Sequence, residues 1–374
     1  MSAQHPISLT RATTAAALIL GATVACGKTP DRTPSSDTQL PANPAPMTMA
    51  TPDSQMQAVL TQLGTMGGKP IETLSPEEAR KQPSPADAVM ALLKMQGKPA
   101  TPEPVTRVSN RMIAGAQGEI PARIYTPSGT GPFPVVVYFH GGGWVIATVD
   151  TYDASARAIA NAAGAVVVAV EYRKAPEHPF PAAHEDAFAA YKWVLTHTND
   201  LNGDPDRIAV MGESAGGNLA ASVSMMARDQ HLQVPVYQVL VYPVANADTT
   251  TPSYTENANA KPLNKAMMIW FAQHTLKNHS DMTDPRFDIL DAPNLVGMPA
   301  TTVIMAQIDP LRSGGEAYAA KLNAAGVKVD SRAFEGVTHE FFGMGAVVDK
   351  AKDAVKMAAA GLKSGFASAK PAVK

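Results

Sequence analysis

A serine flanked by glycines, in Gly212-Glu213-Ser214-Ala215-Gly216, is the first group in this sequence whose type and setting suggest chemistry. The apolar run from Arg207 to Met211 predicts a strand before it, and the pattern over Ser214 to Arg228 predicts a helix after it. A sharp turn between a strand and a helix exposes a serine hydroxyl, and the glycines leave room for that turn. We therefore predict that Ser214 is a nucleophile, the alternative being a tight turn with an idle serine.

A glycine-rich segment, His140-Gly141-Gly142-Gly143-Trp144, directly follows a predicted strand that ends at Phe139. Consecutive glycines allow the backbone to approach a ligand and to turn its N–H groups inward. The oxyanion formed by attack on a carbonyl needs such donors, together with the N–H of the residue after the nucleophile. The pattern predicts an oxyanion hole of Gly141, Gly142, Gly143 and Ala215, with His140 as a structural hydrogen-bonding group.

An acid and a histidine further along the chain complete a possible catalytic set. Asp309 follows the apolar run from Thr301 to Ala306, and the carboxyl ends of parallel strands are where such sheets place their sites. His339 follows the last predicted strand, and an imidazole can act as a base near neutral pH. We predict that His339 is the base and that Asp309 orients it. A turn acid and a surface histidine are the alternatives for each residue taken alone.

The elements that must position these groups alternate between short apolar runs and helical patterns, from Val135–Phe139 to Val327–Phe334. This alternation predicts an α/β fold, with a mostly parallel central sheet covered by helices on both faces, over residues 105–374. Helical patterns in residues 53–104 precede any strand, and a segment of about residues 246–296 interrupts the alternation. Both segments are predicted to form a helical cap.

Four motifs in this order resemble the hormone-sensitive-lipase-like esterases of bacteria: His140 to Trp144, Glu171-Tyr172-Arg173 with Ala175 to Ala183, Gly212 to Asn218, and Asp309-Pro310-Leu311. The resemblance implies the α/β-hydrolase fold, in which serine, acid and histidine follow one another in this order. It also implies a helical cap and hydrolysis of small-molecule esters with short-to-medium acyl chains. Neither a cofactor nor a metal is expected; Gly343 stands where a zinc-protease helix would need its second histidine.

The sequence departs from the family pattern at four positions. Glu213 stands where many relatives have aspartate, Ser313 and Gly314 stand where relatives usually carry two acids, and Glu340 stands where they usually have glycine. Because Glu340 is adjacent to His339, we expect its charge to raise the pKa of that histidine and to shift the pH optimum.

Composition excludes several other classes of protein. Of 374 residues, 45% are hydrophobic and 17% charged, and the net charge of −2 does not favour a nucleic-acid partner.

An uncharged run from Ala12 to Ala25 follows Arg11 and is too short to span a bilayer, so residues 1–25 are predicted to be a signal peptide. Residues 26–52, rich in Pro, Ser and Thr, are predicted to be a flexible tether.

The single cysteine, Cys26, excludes an intramolecular disulfide and lies in Val24-Ala25-Cys26-Gly27, which resembles a bacterial lipoprotein cleavage site. We predict that Cys26 is lipidated and that the protein is exported, as a periplasmic or membrane-anchored lipoprotein. Ordinary cleavage after Ala25 is the alternative.

The predicted activity is that of a serine carboxylesterase. An amidase or peptidase with the same triad, and a non-catalytic ligand-binding homologue, remain the alternatives. The natural ester and the oligomeric state are not predicted.

Overall fold

Three helices precede the first strand of this computed structural model, which describes residues 49–369. They are α1 (Ser54–Thr65), α2 (Pro76–Ala79) and α3 (Pro85–Met95). The two shorter helices begin with capping boxes, in which a serine side chain and an acid three residues later satisfy free backbone N–H groups. The predicted signal peptide and Cys26, with all but the last residues of the predicted tether, lie outside the described residues.

One eight-stranded sheet forms the centre of the fold. Its strands are β1 (Arg107–Gly115), β2 (Gly118–Thr126), β3 (Phe133–Phe139), β4 (Val166–Val170), β5 (Gly203–Glu213), β6 (Gln238–Val241), β7 (Thr301–Ile308) and β8 (Val329–Thr338), in the spatial order β1-β2-β4-β3-β5-β6-β7-β8. β2 is antiparallel to both neighbours, whereas all neighbouring pairs from β4 to β8 are parallel. The predicted mostly parallel sheet is therefore confirmed.

Helices cover both faces of this sheet. The helices after β3 are α4 (Asp153–Ala163), α5 (Ala182–His197), α6 (Ala215–Asp229), α7 (Pro252–Glu256), α8 (Lys265–Thr275), α9 (His279–Met282), α10 (Arg312–Ala324) and α11 (Asp349–Ser368). Of these, α4, α5, α6, α10 and α11 pack against strands of the sheet, whereas α7, α8 and α9 lie in the segment between β6 and β7. Along β3, Val135 and Val137 belong to one hydrophobic cluster, whereas Val136 and Tyr138 belong to another. The strand is thus buried on both faces, which explains its nearly continuous apolar sequence. Between residues 49 and 369, no helix is long and apolar enough to cross a membrane.

Several element boundaries differ from those predicted. β5 begins at Gly203 rather than Arg207, because Gly203 pairs with Phe133 beyond an irregularity in the β3–β5 ladder. β8 runs from Val329 to Thr338 rather than from Val327 to Phe334. The last helix begins at Asp349, after a 3₁₀ turn over Phe341–Met344. Residues 203–206, Gly-Asp-Pro-Asp, do not belong to the apolar run, so the pairing with β3 rather than the local pattern decides where β5 begins.

The segment between β6 and β7 contacts the segment that follows α1. The indole N–H of Trp270 in α8 donates to the carbonyl of Leu74 at 3.1 Å, and the side-chain amide of Asn264 donates to Glu72 at 3.0 Å. Two stretches that are far apart in sequence therefore lie together beside the carboxyl ends of the strands.

The packing of α6 against β3 predicts a difference between two glycine substitutions. At Gly216 a Cβ atom would lie 2.0 Å from the carbonyl oxygen of Phe139, so we expect Gly216→Ala to lower the free energy of unfolding by about 3 kcal/mol. At Gly64 in α1 the same atom would meet nothing within 4 Å, so Gly64→Ala is expected to raise it by about 0.5 kcal/mol. Urea denaturation measures both; equal midpoints for the two variants would contradict the close approach at Gly216.

Candidate active site

Ser214 occupies a strained turn between β5 and α6. Its φ of 57° and ψ of −118° lie outside the regions that residues with a side chain normally adopt. The flanking glycines explain how the turn closes, since a Cβ atom on Gly212 would lie 2.0 Å from the carbonyl oxygen of Gly216. The Ser214 hydroxyl thus lies at the edge of the sheet where the parallel strands end. The close packing around the turn holds the backbone of Ser214 in its unfavourable conformation.

A chain of hydrogen bonds joins the three predicted triad residues. His339 Nε2 lies 3.0 Å from Ser214 Oγ, and His339 Nδ1 lies 2.7 Å from Asp309 Oδ2. The other oxygen of Asp309 accepts the N–H of Leu311 at 2.9 Å, which fixes the carboxylate. Because a carboxylate can only accept, Nδ1 carries the proton of the neutral imidazole and Nε2 accepts from the serine hydroxyl. This arrangement can remove the serine proton.

Opposing effects set the pKa of His339. Burial of the ring favours its neutral form and would lower the pKa. The negative charge and the hydrogen bond of Asp309, together with the charges of Glu340 and Glu213, outweigh this effect, so the pKa is raised. His339 therefore retains its proton to a higher pH than a histidine in water.

Glu213, directly before Ser214, is a buried carboxyl group beneath the site. The hydroxyls of Tyr138 and Tyr242 donate to its two oxygens. Burial raises the pKa of Glu213 to about 7, although both tyrosine hydrogen bonds act in the opposite direction and the charge of Glu340 adds to the rise. The glutamate side chain thus reaches two tyrosines on neighbouring parts of the sheet.

The glycine segment before α4 lies beside Ser214. Gly142 and Gly143 line the same cavity as the serine and have φ values of 95° and 58°, which favour glycine. Gly141 lies next to them, where a Cβ atom would be 2.2 Å from the hydroxyl oxygen of Tyr152. Ala215 is buried as the first residue of α6, so its backbone N–H belongs to a helix N-terminus, which attracts negative charge.

The other residues of the motifs serve the structure around the site. His140 Nδ1 lies 2.8 Å from the carbonyl oxygen of Gly141, and the hydroxyl of Tyr172 donates to the carbonyl of His140 at 2.9 Å. Trp144 is only 2% exposed and packs against Phe287, with ring centroids 5.2 Å apart. Both residues therefore shape the glycine segment from the protein interior.

A cavity of about 540 Å³ opens above Ser214 and His339. Three parts of the chain supply apolar side chains to its wall: Leu60, Leu63 and Ile71 from the N-terminal segment, Ile146 from the loop after β3, and Leu263, Met267 and Phe271 from the segment between β6 and β7. A concave, mostly apolar wall around a few polar groups is typical of a small-molecule site.

Two contacts of the site were not predicted from the sequence. Tyr152, directly before α4, donates its hydroxyl to both carboxylate oxygens of Glu340, at 2.7 and 2.8 Å. Ser313, where relatives usually have an acid, exchanges hydrogen bonds with Ser253 of α7 at 3.1 and 3.0 Å. Nothing in the local sequence pattern indicates either pair, because their members are 188 and 60 residues apart.

Comparison with known proteins identifies the family. A family profile described as the alpha/beta hydrolase fold matches residues 136–343, a range that contains Ser214, Asp309 and His339. Carboxylesterase NlhH of Mycobacterium tuberculosis is 39% identical over 295 residues, which cover 74% of this chain and 88% of NlhH. Carboxylic ester hydrolase LipN of the same species is 43% identical over 243 residues, which cover 63% of this chain and 65% of LipN. The chain belongs to the α/β-hydrolase family.

Solved structures agree with this assignment. A hyperthermophilic esterase from the archaeon Pyrobaculum calidifontis matches with a TM-score of 0.76 and 37% identity, covering 84% of this chain and 99% of the esterase. The thermostable carboxylesterase EstE1, cloned from a metagenomic library, matches with a TM-score of 0.73 and 39% identity, covering 79% of this chain and 98% of EstE1. Within the family, the chain is a carboxylic ester hydrolase of the hormone-sensitive-lipase-like group, as predicted.

The buried carboxyl group of Glu213 predicts a pH-dependent loss of stability. Its pKa of about 7, against an ordinary value of 4.5, means that the folded protein holds a proton that the unfolded chain has released between these pH values. The contribution of this group to stability is therefore present below about pH 4.5 and is lost as the pH rises through about 7. We therefore compare the free energy of unfolding of Glu213→Gln with that of wild type at two pH values. We expect the difference, variant minus wild type, to be about 1–3 kcal/mol larger at pH 8 than at pH 4.

Urea denaturation at a series of pH values measures this difference. Glu335→Gln, which makes the same change at an exposed position on β8, serves as the control and is expected to leave the pH dependence unaltered. Parallel stability–pH curves for wild type and Glu213→Gln would show that Glu213 does not titrate in this way.

Proposed function

We propose that this carboxylic ester hydrolase acts through a Ser-His-Asp triad and an acyl-enzyme intermediate on esters with short-to-medium acyl chains. The observation that carries the proposal is the continuous hydrogen-bonded chain from Ser214 through His339 to the buried Asp309, beside a cavity. A merely structural serine would not require the strained backbone of Ser214 together with a glycine segment facing the same cavity.

In the acylation step, Ser214 Oγ attacks the ester carbonyl while His339 Nε2 accepts the serine proton. The imidazolium is stabilised by Asp309, which also fixes the tautomer. The negative charge that develops on the carbonyl oxygen is met by backbone N–H groups of the segment Gly141 to Gly143 and of Ala215. His339 then gives its proton to the departing alcohol, and the acyl group stays on Ser214.

In the deacylation step, water enters the position that the alcohol has left. His339 accepts a proton from the water as it attacks the acyl carbonyl, and the same backbone donors hold the second oxyanion. Collapse of this intermediate returns the proton to Ser214 and releases the carboxylic acid. The cycle uses only side chains and backbone groups of this chain.

The cavity supports the choice of small-molecule esters with short-to-medium acyl chains. Its volume of about 540 Å³ falls within the range of pockets that enclose small ligands. Leu263, Met267 and Phe271 give one wall an apolar surface that suits a hydrocarbon chain. Because helices on two sides contribute to the wall, the length of the accepted acyl chain depends on how they pack.

Activity on p-nitrophenyl acetate, butyrate, octanoate and palmitate tests the proposal. We expect hydrolysis of the short and medium chains, a decline towards palmitate, and a loss of about 10⁶-fold in kcat for Ser214→Ala, because the nucleophile is removed while the binding cavity remains. A p-nitroanilide with the acyl group of the best ester is expected to react much more slowly. Faster cleavage of the anilide would favour the amidase alternative, and equal rates for wild type and Ser214→Ala would contradict the triad.

We also propose that the chain is exported and anchored to a membrane through a lipid on Cys26. Support comes from the sequence alone, in the apolar run that ends at Ala25 and in the placement of the single cysteine. Several acyl chains on one residue would hold a folded domain at the surface of a bilayer. Residues 26–52 would then act as the tether.

Expression in a bacterial host that processes lipoproteins tests this anchor. Wild type is expected to incorporate labelled palmitate and to sediment with membranes, whereas Cys26→Ala is expected to lose the label and to appear in the soluble fraction. Mass spectrometry of the mature N-terminus distinguishes lipidation from ordinary cleavage after Ala25. An unlabelled wild-type protein would contradict lipidation.

A further inference from the structure

Glu340 is a carboxylate that the triad mechanism does not use, although it lies at the reacting edge of the base. One of its oxygens is 3.7 Å from His339 Nε2, the atom that also faces Ser214 Oγ at 3.0 Å. Asp309 contacts the opposite nitrogen, Nδ1, at 2.7 Å. The imidazole of His339 therefore lies between two carboxylates, one on each nitrogen.

The side chain of Glu340 is held in place. The hydroxyl of Tyr152 donates to both of its oxygens, and the carboxylate is only 22% exposed. The same hydroxyl lies against Gly141, where it occupies the space that any side chain at that position would need. Tyr152 thus connects the loop of the base with the glycine segment that faces the oxyanion.

The backbone of Glu340 has an unfavourable conformation for a residue with a side chain. Its φ of 70° and ψ of 2° lie in the left-handed region, which glycine adopts at no cost. A glutamate that is strained at its backbone, largely withdrawn from water and held by a tyrosine indicates that its carboxylate has a role at this place.

We propose that Glu340, held by Tyr152, is a positioning residue for the base and stabilises the protonated form of His339 from its Nε2 side. The inference rests on the proposed function, in which His339 must gain a proton in each step. At 3.7 Å the contact is too long for a hydrogen bond, so the carboxylate acts through its charge and leaves Nε2 free to serve the Ser214 hydroxyl.

The titratable groups around His339 and Glu340 come from several elements. They are Asp309 after β7, Glu213 in β5, Tyr138 in β3, Tyr152 before α4, Tyr172 after β4 and Tyr242 after β6, whose ring centroid lies 4.3 Å from that of His339. Burial, with a smaller contribution from the charge of Asp309, raises the pKa of Glu340 overall, while the positive charge of His339 and the hydrogen bond from Tyr152 act in the opposite direction and favour the carboxylate. Burial of the tyrosines raises the pKa of each, so they remain donors.

The sign of the effect follows from this arrangement. A neighbouring carboxylate makes the imidazolium more stable, which raises the pKa of His339 and delays the release of its proton as the pH rises. The base is active only when it is neutral, so Glu340 moves the acidic limb of the pH–rate profile to higher pH. At pH values above this limb, where His339 is neutral, the higher pKa makes His339 a stronger base.

The pH dependence of kcat and kcat/KM for p-nitrophenyl butyrate, in full-length wild type and Glu340→Gln, tests the proposal. We expect Glu340→Gln to move the acidic limb down by about one pH unit and to lower the plateau kcat by about tenfold, with little change in KM. Glu340→Gly, which also relieves the backbone, is expected to behave in the same way. Glu340→Asp keeps a carboxylate, so its acidic limb is expected to lie between those of Glu340→Gln and wild type.

Two further variants separate this role from a structural one. Tyr152→Phe retains the carboxylate but loses the hydrogen bond that favours its charged form, so a smaller shift in the same direction is expected. Glu335→Gln removes a carboxylate from the exposed side of β8, four residues before His339, and is expected to leave the acidic limb in place. The proposal would be overturned if the acidic limb of the pH–rate profile stayed at its wild-type pH in both Glu340→Gln and Glu340→Gly. It would also be overturned if Glu335→Gln shifted this limb as much as Glu340→Gln does.

NMR titration of the His339 ring provides a readout that does not depend on hydrolysis. A lower pKa of His339 in Glu340→Gln than in wild type supports the proposal. This result does not depend on whether the protein hydrolyses p-nitrophenyl butyrate. An unchanged pKa overturns it. Loss of ester hydrolysis in wild type would count against the proposed function alone, so the two failures can be distinguished.

Discussion

The turn at Ser214 is the constraint on which the rest of the site depends. A non-glycine residue with a positive φ is tolerated there only because Gly212 and Gly216 allow strand β5, helix α6 and strand β3 to approach one another closely. The parallel sheet then sets the remaining geometry, since the carboxyl ends of its strands meet at one edge. Asp309 and His339 follow β7 and β8 at that edge, so two loops from neighbouring strands reach the serine without a long connection.

Carboxyl groups lie beneath and beside His339 at this candidate active site. Asp309, Glu213 and Glu340 all act on His339, and two of these carboxyl groups are held by tyrosine hydroxyls rather than by basic side chains. A tyrosine satisfies a buried carboxylate without neutralising it, because it donates a hydrogen bond and carries no charge. When Glu213 and Glu340 are ionised, their negative charge therefore acts on the imidazole, although burial raises the pKa of both groups and favours their neutral forms.

The cavity depends on contacts between segments that are distant in sequence. Trp270 and Asn264 of the segment between β6 and β7 donate hydrogen bonds to residues of the N-terminal segment, and both segments contribute to the cavity wall. Near the acid of the triad, Ser313 and Ser253 exchange hydrogen bonds where relatives usually carry charge. The environment of the site thus combines the family fold with hydrogen-bonded pairs from segments that are distant in sequence.

The sequence by itself determined the fold class, the order of strands and helices, and the identity of Ser214, Asp309 and His339 as the residues to be brought together. It could do so because strand periodicity and glycine-dependent turns are local properties, and because the order of the three residues is tied to one sheet topology. It also indicated Glu340 as an unusual neighbour of the base. Only the tertiary structure decided that the Glu340 carboxylate lies at Nε2 and is held by Tyr152, that Glu213 reaches two tyrosines, and where β5 and α11 begin. Each of these depends on side chains that are far apart in the chain and meet through packing, which no local pattern records.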